Sequence, residues 1–137
     1  MAIALILICS IAGLRADSIV MFNEIMYHPL TNESELEWIE LYNQLAVDVD
    51  ISNWIITNGI EYKFPAGTII SGGGYVVVAK SPQTIKTIMG LTNVYGPFDG
   101  RFANDGETIE LQNNNQRLMD VISYGVGGDW PVSPDGC

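Results

Sequence analysis

Glu37-Trp38-Ile39-Glu40-Leu41-Tyr42-Asn43, followed by Ser52-Asn53-Trp54-Ile55-Ile56, Tyr62-Lys63-Phe64-Pro65 and Gly72-Gly73-Gly74-Tyr75-Val76-Val77-Val78, decides the fold. Successive side chains of a strand point to opposite faces, so a strand from Glu35 to Asn43 places Leu36, Trp38, Glu40 and Tyr42 on one face and Ile39 and Leu41 on the other. Both faces carry large apolar groups, which predicts a strand inside a sheet rather than at its edge.

Outward from this block, short apolar runs alternate with Gly, Asn, Asp and Pro, the pattern of an all-β chain. Ser18 to Met26 reads as a first strand and Tyr27 to Ser34 as a loop. Asp48 to Thr57 continues the strands, with Val49, Ile51 and Trp54 as core candidates, and Asn58-Gly59 predicts a tight hairpin into Ile60 to Phe64. Thr68 to Ile70, Tyr75 to Lys80, Val94 to Phe98, Thr108 to Gln112 and Leu118 to Tyr124 follow, with Asn113-Asn114-Asn115 as a polar turn. Ser81-Pro82 places a capping residue before a proline at the first helical position, and Gly90 supplies a stop, so one short helix is expected at about 82 to 89. Seven to nine short strands at this spacing favour a two-layer β-sandwich, with Trp54 at its centre.

At 137 residues the chain suits one domain, and 47% hydrophobic residues supply an ordinary core. Met1 to Ala16 contains no acid, and its apolar block from Ile3 to Ala12 has the length of a secretory h-region. Residues 1–16 are therefore expected to be a cleaved signal, leaving 17–137 as the domain. No Lys or Arg precedes the block and Leu14 stands two before Ala16, which departs from the usual signal pattern; a buried first strand or helix is the alternative. The block is shorter than the ~20 residues a membrane span needs.

The formal net charge is −10, and without residues 1–16 the chain keeps 16 acidic residues against 5 basic ones. Affinity for nucleic acid comes mainly from Lys and Arg on phosphates, so a nucleic-acid partner is not expected. An acidic surface of this kind suits an exported protein or the recruitment of cations. Cys137 is the one cysteine outside the leader block, so no disulfide is expected within the domain.

Taken together, Asn23-Glu24-Ile25, the Glu37 to Asn43 block, Asp50-Ile51-Ser52-Asn53-Trp54, Tyr62-Lys63-Phe64-Pro65 with Gly67-Thr68, Gly74-Tyr75-Val76-Val77-Val78 and Asp105-Gly106-Glu107-Thr108-Ile109-Glu110-Leu111 resemble the lamin tail domain. The resemblance covers roughly residues 17 to 136 in ordered blocks. It implies an immunoglobulin-like β-sandwich serving as a binding or adhesion module of secreted or cell-surface proteins, and the family motif has no catalytic residues to carry over. A final Ser-Leu-type strand usually follows the position of Gly136. The resemblance thus implies that the closing strand lies beyond Cys137, leaving an edge able to pair with another copy.

Several constellations carry possible chemistry. Glu33, Glu35 and Glu37, with Asp48 and Asp50 after the next turn, form an oxygen-rich set able to hold Ca²⁺. Alternation along a strand entrance would instead put the three glutamates on one solvated face, and the glycine of a calcium loop is missing. Glu24 and Glu40 are candidate paired carboxylates for hydrolysis, set against the plainer reading of half-buried glutamates accepting hydrogen bonds. His28 is the one histidine, which excludes multi-histidine metal centres. Ser123 lacks the preceding glycine of a nucleophile elbow, and Gly72-Gly73-Gly74 precedes a strand without the Lys-Ser or Lys-Thr of a phosphate loop. Tyr42, Tyr62, Tyr75, Tyr95, Tyr124 and Trp130 could form a carbohydrate or peptide platform, core packing being the competing fate. Asn32-Glu33-Ser34 is a glycosylation sequon for a host that modifies exported chains.

The expected function is a non-catalytic binding, adhesion or tethering module acting on a protein or carbohydrate at the cell surface. An accessory domain of a secreted hydrolase or nuclease, with the catalytic part beyond residue 137, is the alternative.

Overall fold

The computed structural model describes residues 9–10, 19–27, 29, 31 and 33–125. In chain order the strands and helices are β1 (Cys9–Ser10), β2 (Val20–Met26), α1 (Glu33–Leu36), β3 (Trp38–Asn43), β4 (Val49–Asp50), β5 (Ile55–Thr57), β6 (Ile60–Lys63), β7 (Ile69–Ile70), β8 (Tyr75–Ala79), α2 (Pro82–Met89), β9 (Val94–Tyr95), β10 (Asp99–Gly100), β11 (Gly106–Gln112) and β12 (Leu118–Gly125). One five-stranded sheet runs β1-β2-β3-β8-β9, a second runs β10-β6-β5-β11-β12, and β4 and β7 form a two-stranded ribbon. β8 and β9 pair in parallel; every other pair is antiparallel.

The period-two pattern has its expected outcome in β3. It lies between β2 and β8, with Trp38 opposite Met26 and Ala79, and Ile39 opposite Ile25 and Val78. Ile39 and Leu41 face the second sheet and join Phe22, Val76, Val78, Ile56, Ile60, Phe64, Phe98, Phe102, Ile109, Leu111 and Ile122 in the main core. Trp54 belongs to this core and is only 7% exposed. The opposite face of the first sheet also carries large apolar groups, and a second cluster forms there from Met26, Trp38, Val77, Ala79, Ile85 and Val94. That cluster explains why β3 is apolar on both sides: α2 covers the outside of its sheet.

Of the punctuation residues, Asn58, Gly59, Pro82 and Gly90 act as their chemistry requires and Ser81 does not. Asn58 and Gly59 turn the β5–β6 hairpin with φ of 63° and 122°, a region where a Cβ is disfavoured. α2 spans Pro82–Met89, with proline in its first turn and Gly90 in the left-handed conformation at its end. Ser81 makes no capping bond to the helix backbone; its hydroxyl pairs with the Thr84 hydroxyl at 3.1 Å.

Two expectations are corrected. The strand does not begin at Glu35: Glu33–Leu36 form one helical turn, so there are two helical segments among the described residues, and Leu36 packs on the outer cluster from that turn. Glu33, Glu35 and Glu37 consequently do not alternate along one solvated face, because Glu37 is 1% exposed. Among the described residues there are twelve strands, five of them two-residue pieces; the seven longer ones are β2, β3, β5, β6, β8, β11 and β12.

Candidate functional site

The outer face of β2, β3 and β8 brings together groups that lie far apart in sequence. Register sets Glu24 opposite Glu40, and both side chains therefore stand on the same side of the sheet. A bulge between Phe22 and Glu24 frees Asn23 from the ladder. Its amide nitrogen donates to Glu40 Oε1 at 2.8 Å. Two residues further along β3, Tyr42 stands opposite Met21 on one side and Tyr75 on the other. The two tyrosine rings stack with centroids 4.8 Å apart and planes 27° from parallel. Tyr75 is 49% exposed, so one end of this sheet face presents an aromatic plane beside a carboxylate pair.

The electrostatics follow from this placement. Burial holds the Glu24 carboxyl above its ordinary range, and the neighbouring Glu40 charge adds to the effect. Burial also raises Glu40, partly offset by the hydrogen bond from Asn23. The sequence reading of these two as neighbours thus agrees with the register, and its plainer half also applies, since Glu40 is half-buried and accepts a hydrogen bond.

The acids considered for calcium have different surroundings. Glu35 is exposed, on the helical turn α1. Glu37 is buried, and its Oε2 faces the Phe102 amide at 3.4 Å. Asp48 accepts the Gly72 amide at 3.0 Å. Asp50 accepts both the amide and the hydroxyl of Ser52, bonds that hold its carboxyl below the ordinary range. Ser52 Oγ in turn accepts the Gly67 amide at 2.8 Å, so Asp50 and Ser52 organise a turn. No group of three or more Asp, Glu, His or Cys able to hold a metal occurs among the described residues.

Other sequence candidates are also located. Ser123 Oγ lies 2.8 Å from the Thr108 hydroxyl on the exposed side of the β11–β12 pair. Gly72-Gly73-Gly74 forms a turn in which Gly74 donates to Ser71 and Gly73 to Leu45. Tyr124 is buried and donates to the Ala103 carbonyl at 2.8 Å and to Glu107 Oε1 at 2.9 Å. Burial and the neighbouring carboxylates push its hydroxyl far above the ordinary tyrosine range. His28, Asn32, Trp130, Cys137 and nearly all of the leader block lie outside the described residues; Cys9 and Ser10 pair with Ile25 and Glu24 at the outer edge of β2.

Three structural polar groups escaped the sequence reading. Asn43, fully buried at the end of β3, donates to the carbonyls of Val47, Ile70 and Ser71 and accepts the Leu45 amide. Asp120, inward-facing on β12, accepts the Phe22 amide across the two sheets at 2.8 Å. Lys80 donates to the carbonyls of Phe98 and Gly100, with its ammonium 5.4 Å from the centre of the Phe98 ring. A polar residue at an inward strand position was the available signal for Asp120, which interrupts the alternation Ile122, Tyr124 on its strand.

Two face-to-face sheets, antiparallel apart from the β8–β9 pair, with an aromatic-carboxylate patch outside, form an immunoglobulin-like β-sandwich. The lamin tail domain model matches residues 15–126, and the chain belongs to that family. No curated protein matches it. Among the described residues no helix is long and apolar enough to cross a membrane.

Proposed function

We propose that this chain is a non-catalytic binding and tethering module of a larger secreted or cell-surface protein, and that it engages its partner through the outer face of β2, β3 and β8. The observation that carries the reading is Tyr75, 49% exposed and stacked on Tyr42 over a five-stranded sheet. A rigid aromatic with an open face loses little entropy on binding, whereas the same ring turned inward would serve packing. Export is supported by the apolar block from Ile3 to Ala12 and by the excess of acidic residues. The domain's role as a holder rather than a catalyst is supported by the spending of its buried polar groups on structure: Asn43, Asp120 and Tyr124 all bond backbone or fixed neighbours.

The test uses the 137-residue chain on peptide and glycan arrays, beside Tyr75→Ala and an outer-face control on the other sheet, Val121→Ala. Binding that falls with Tyr75→Ala and persists in the control supports the reading. Binding unaffected by Tyr75→Ala removes it. Export is tested separately, by N-terminal sequencing of the chain recovered from the medium of a secreting host.

A further inference from the structure

The outer face of the first sheet is covered unevenly. Over Trp38, Val77 and Ala79 it is closed by Leu36 of α1 and by Ile85 and Met89 of α2. At the other end Tyr75 is exposed and Met21, Glu24, Glu40 and Tyr42 are half-buried. Within this open end the carboxylate pair is under-compensated. Asn23 donates one hydrogen bond to Glu40, while Glu24 accepts none from the described residues and its charge stands against that of Glu40. Placing two like charges directly opposite on a sheet is unfavourable, and the arrangement becomes favourable when a cation lies between them.

We infer that the open end is a dock for an arginine-bearing extended segment of a partner protein, the guanidinium bridging Glu24 and Glu40 and its stem lying against the Tyr42–Tyr75 stack. This rests on the binding-module reading above and names its partner. Charge complementarity selects the occupant. A guanidinium offers five N–H donors in a planar fork, enough to serve two carboxylates at once, and it stacks on aromatic faces. An ammonium is a compact point charge that suits the aromatic plane less well and bridges two carboxylates with less directional control. Tyrosine beside the acids adds a cation–π contribution and apolar surface for the three-carbon stem. The chain's net charge of −10 draws a basic segment toward the molecule and repels an acidic one.

The probe is a capped heptapeptide, Gly-Ser-Arg-Ser-Arg-Ser-Gly, compared with its citrulline counterpart, which keeps the shape and loses the charge. Binding to the 137-residue chain is followed by calorimetry and by the ring signals of Tyr42 and Tyr75 in NMR. The arginine peptide is expected to bind and to shift both rings, and the citrulline peptide to do neither. Glu24→Gln with Glu40→Gln should weaken binding by roughly tenfold or more, the loss expected for charge-assisted hydrogen bonds. Glu61→Gln with Asp99→Asn removes the same charge from the other sheet and should change affinity by no more than about twofold, because exposed charges at a distance are screened. All four replacements are close in size to the originals, and circular dichroism checks that each variant is folded.

Equal weakening in both pairs would mean that only the overall field attracts the peptide, and would overturn the proposal. Binding of the citrulline peptide, or arginine binding without a shift of either tyrosine ring, would also overturn it. A glycan hit that is lost in Tyr75→Ala and kept in the carboxylate pair would overturn arginine recognition while leaving the binding-module reading intact. Silence toward peptides and glycans alike would remove both.

Discussion

The carboxylate of Asp120 accepts the backbone N–H of Phe22 at 2.8 Å, joining residues 98 positions apart. Phe22 lies on β2, in the first sheet, and Asp120 on β12, the edge strand of the second. An inward-pointing acid on an edge strand disfavours pairing of that edge with another chain, and here the acid is satisfied by an amide of the facing sheet. Nearby, Tyr27 and Tyr124 bring their ring centroids to 4.3 Å, so the seam between the two strands is closed by a polar clasp and an aromatic contact. The edge foreseen as open to self-pairing at the end of the chain is a separate matter, since residues 126–137 lie outside the described part.

Replacing Asp120 by Ala leaves the buried Phe22 amide without this acceptor. The expected loss is about 2 kcal/mol, within the range for removing a hydrogen bond to a charged group, while Asp120→Asn keeps an acceptor oxygen and should lose less. Urea midpoints of the two variants, taken at equal m-values, check both the size and the order.

Asn43→Ala removes one acceptor and a donor group that serves three carbonyls. The loss should be on the order of 3 kcal/mol, because several buried backbone groups lose their partner together. Amide exchange should accelerate first at Leu45, where the bond was made, and at Gly73, which donates to the Leu45 carbonyl at 2.7 Å. Uniform acceleration across β3 and β8 instead would count against a local role for Asn43.

Trp54→Ala opens a cavity in the main core, where Trp54 is 7% exposed and its backbone pairs with Phe64. A loss of about 3–5 kcal/mol is expected. An unchanged melting temperature would show that the site collapses without cost.

The carboxyls of Glu24 and Glu40 are held above their ordinary range, first by burial. In the folded state they therefore bind protons more readily than in the unfolded chain, and stability contributed by the pair falls as pH rises from the ordinary carboxylate value through the raised ones. Glu24→Gln with Glu40→Gln should flatten that part of the stability curve and leave the variant at least as stable at neutral pH. Asp50 acts in the opposite sense. Its carboxyl is lowered by the bonds from Ser52, so its contribution is present above the ordinary aspartate value and is lost as pH falls through the depressed one. Chemical denaturation between pH 3 and 8, on the wild type and on Asp50→Asn, separates the two (the pH limits being roughly those of carboxylate titration).

Much of this fold was legible because its signals are local. Alternation over Trp38 to Asn43 follows from the two-residue repeat of a strand, and Pro82 and Gly90 mark helix ends through restrictions on their own backbones. The helical turn at Glu33–Leu36 was not legible, since four residues carry too little periodicity to distinguish a turn of helix from a strand entrance. The burial of Glu37 was likewise hidden: nothing adjacent to it in sequence announces Phe102, which reaches it from 65 residues away.

The candidate site divides along the same physical line. Composition and order of residues established an acidic all-β domain of the lamin tail family, with Glu24, Glu40, Tyr42 and Tyr75 all available as strand residues. Whether they met depended on strand register and on which face was covered. Register set Glu24 against Glu40 and Tyr42 against Tyr75, the bulge aimed Asn23 at Glu40, and α2 closed one end of the face while leaving Tyr75 open. A shift of one residue in any of those ladders would have turned the same side chains into the opposite face, which is why only the tertiary pairing could make a patch of them.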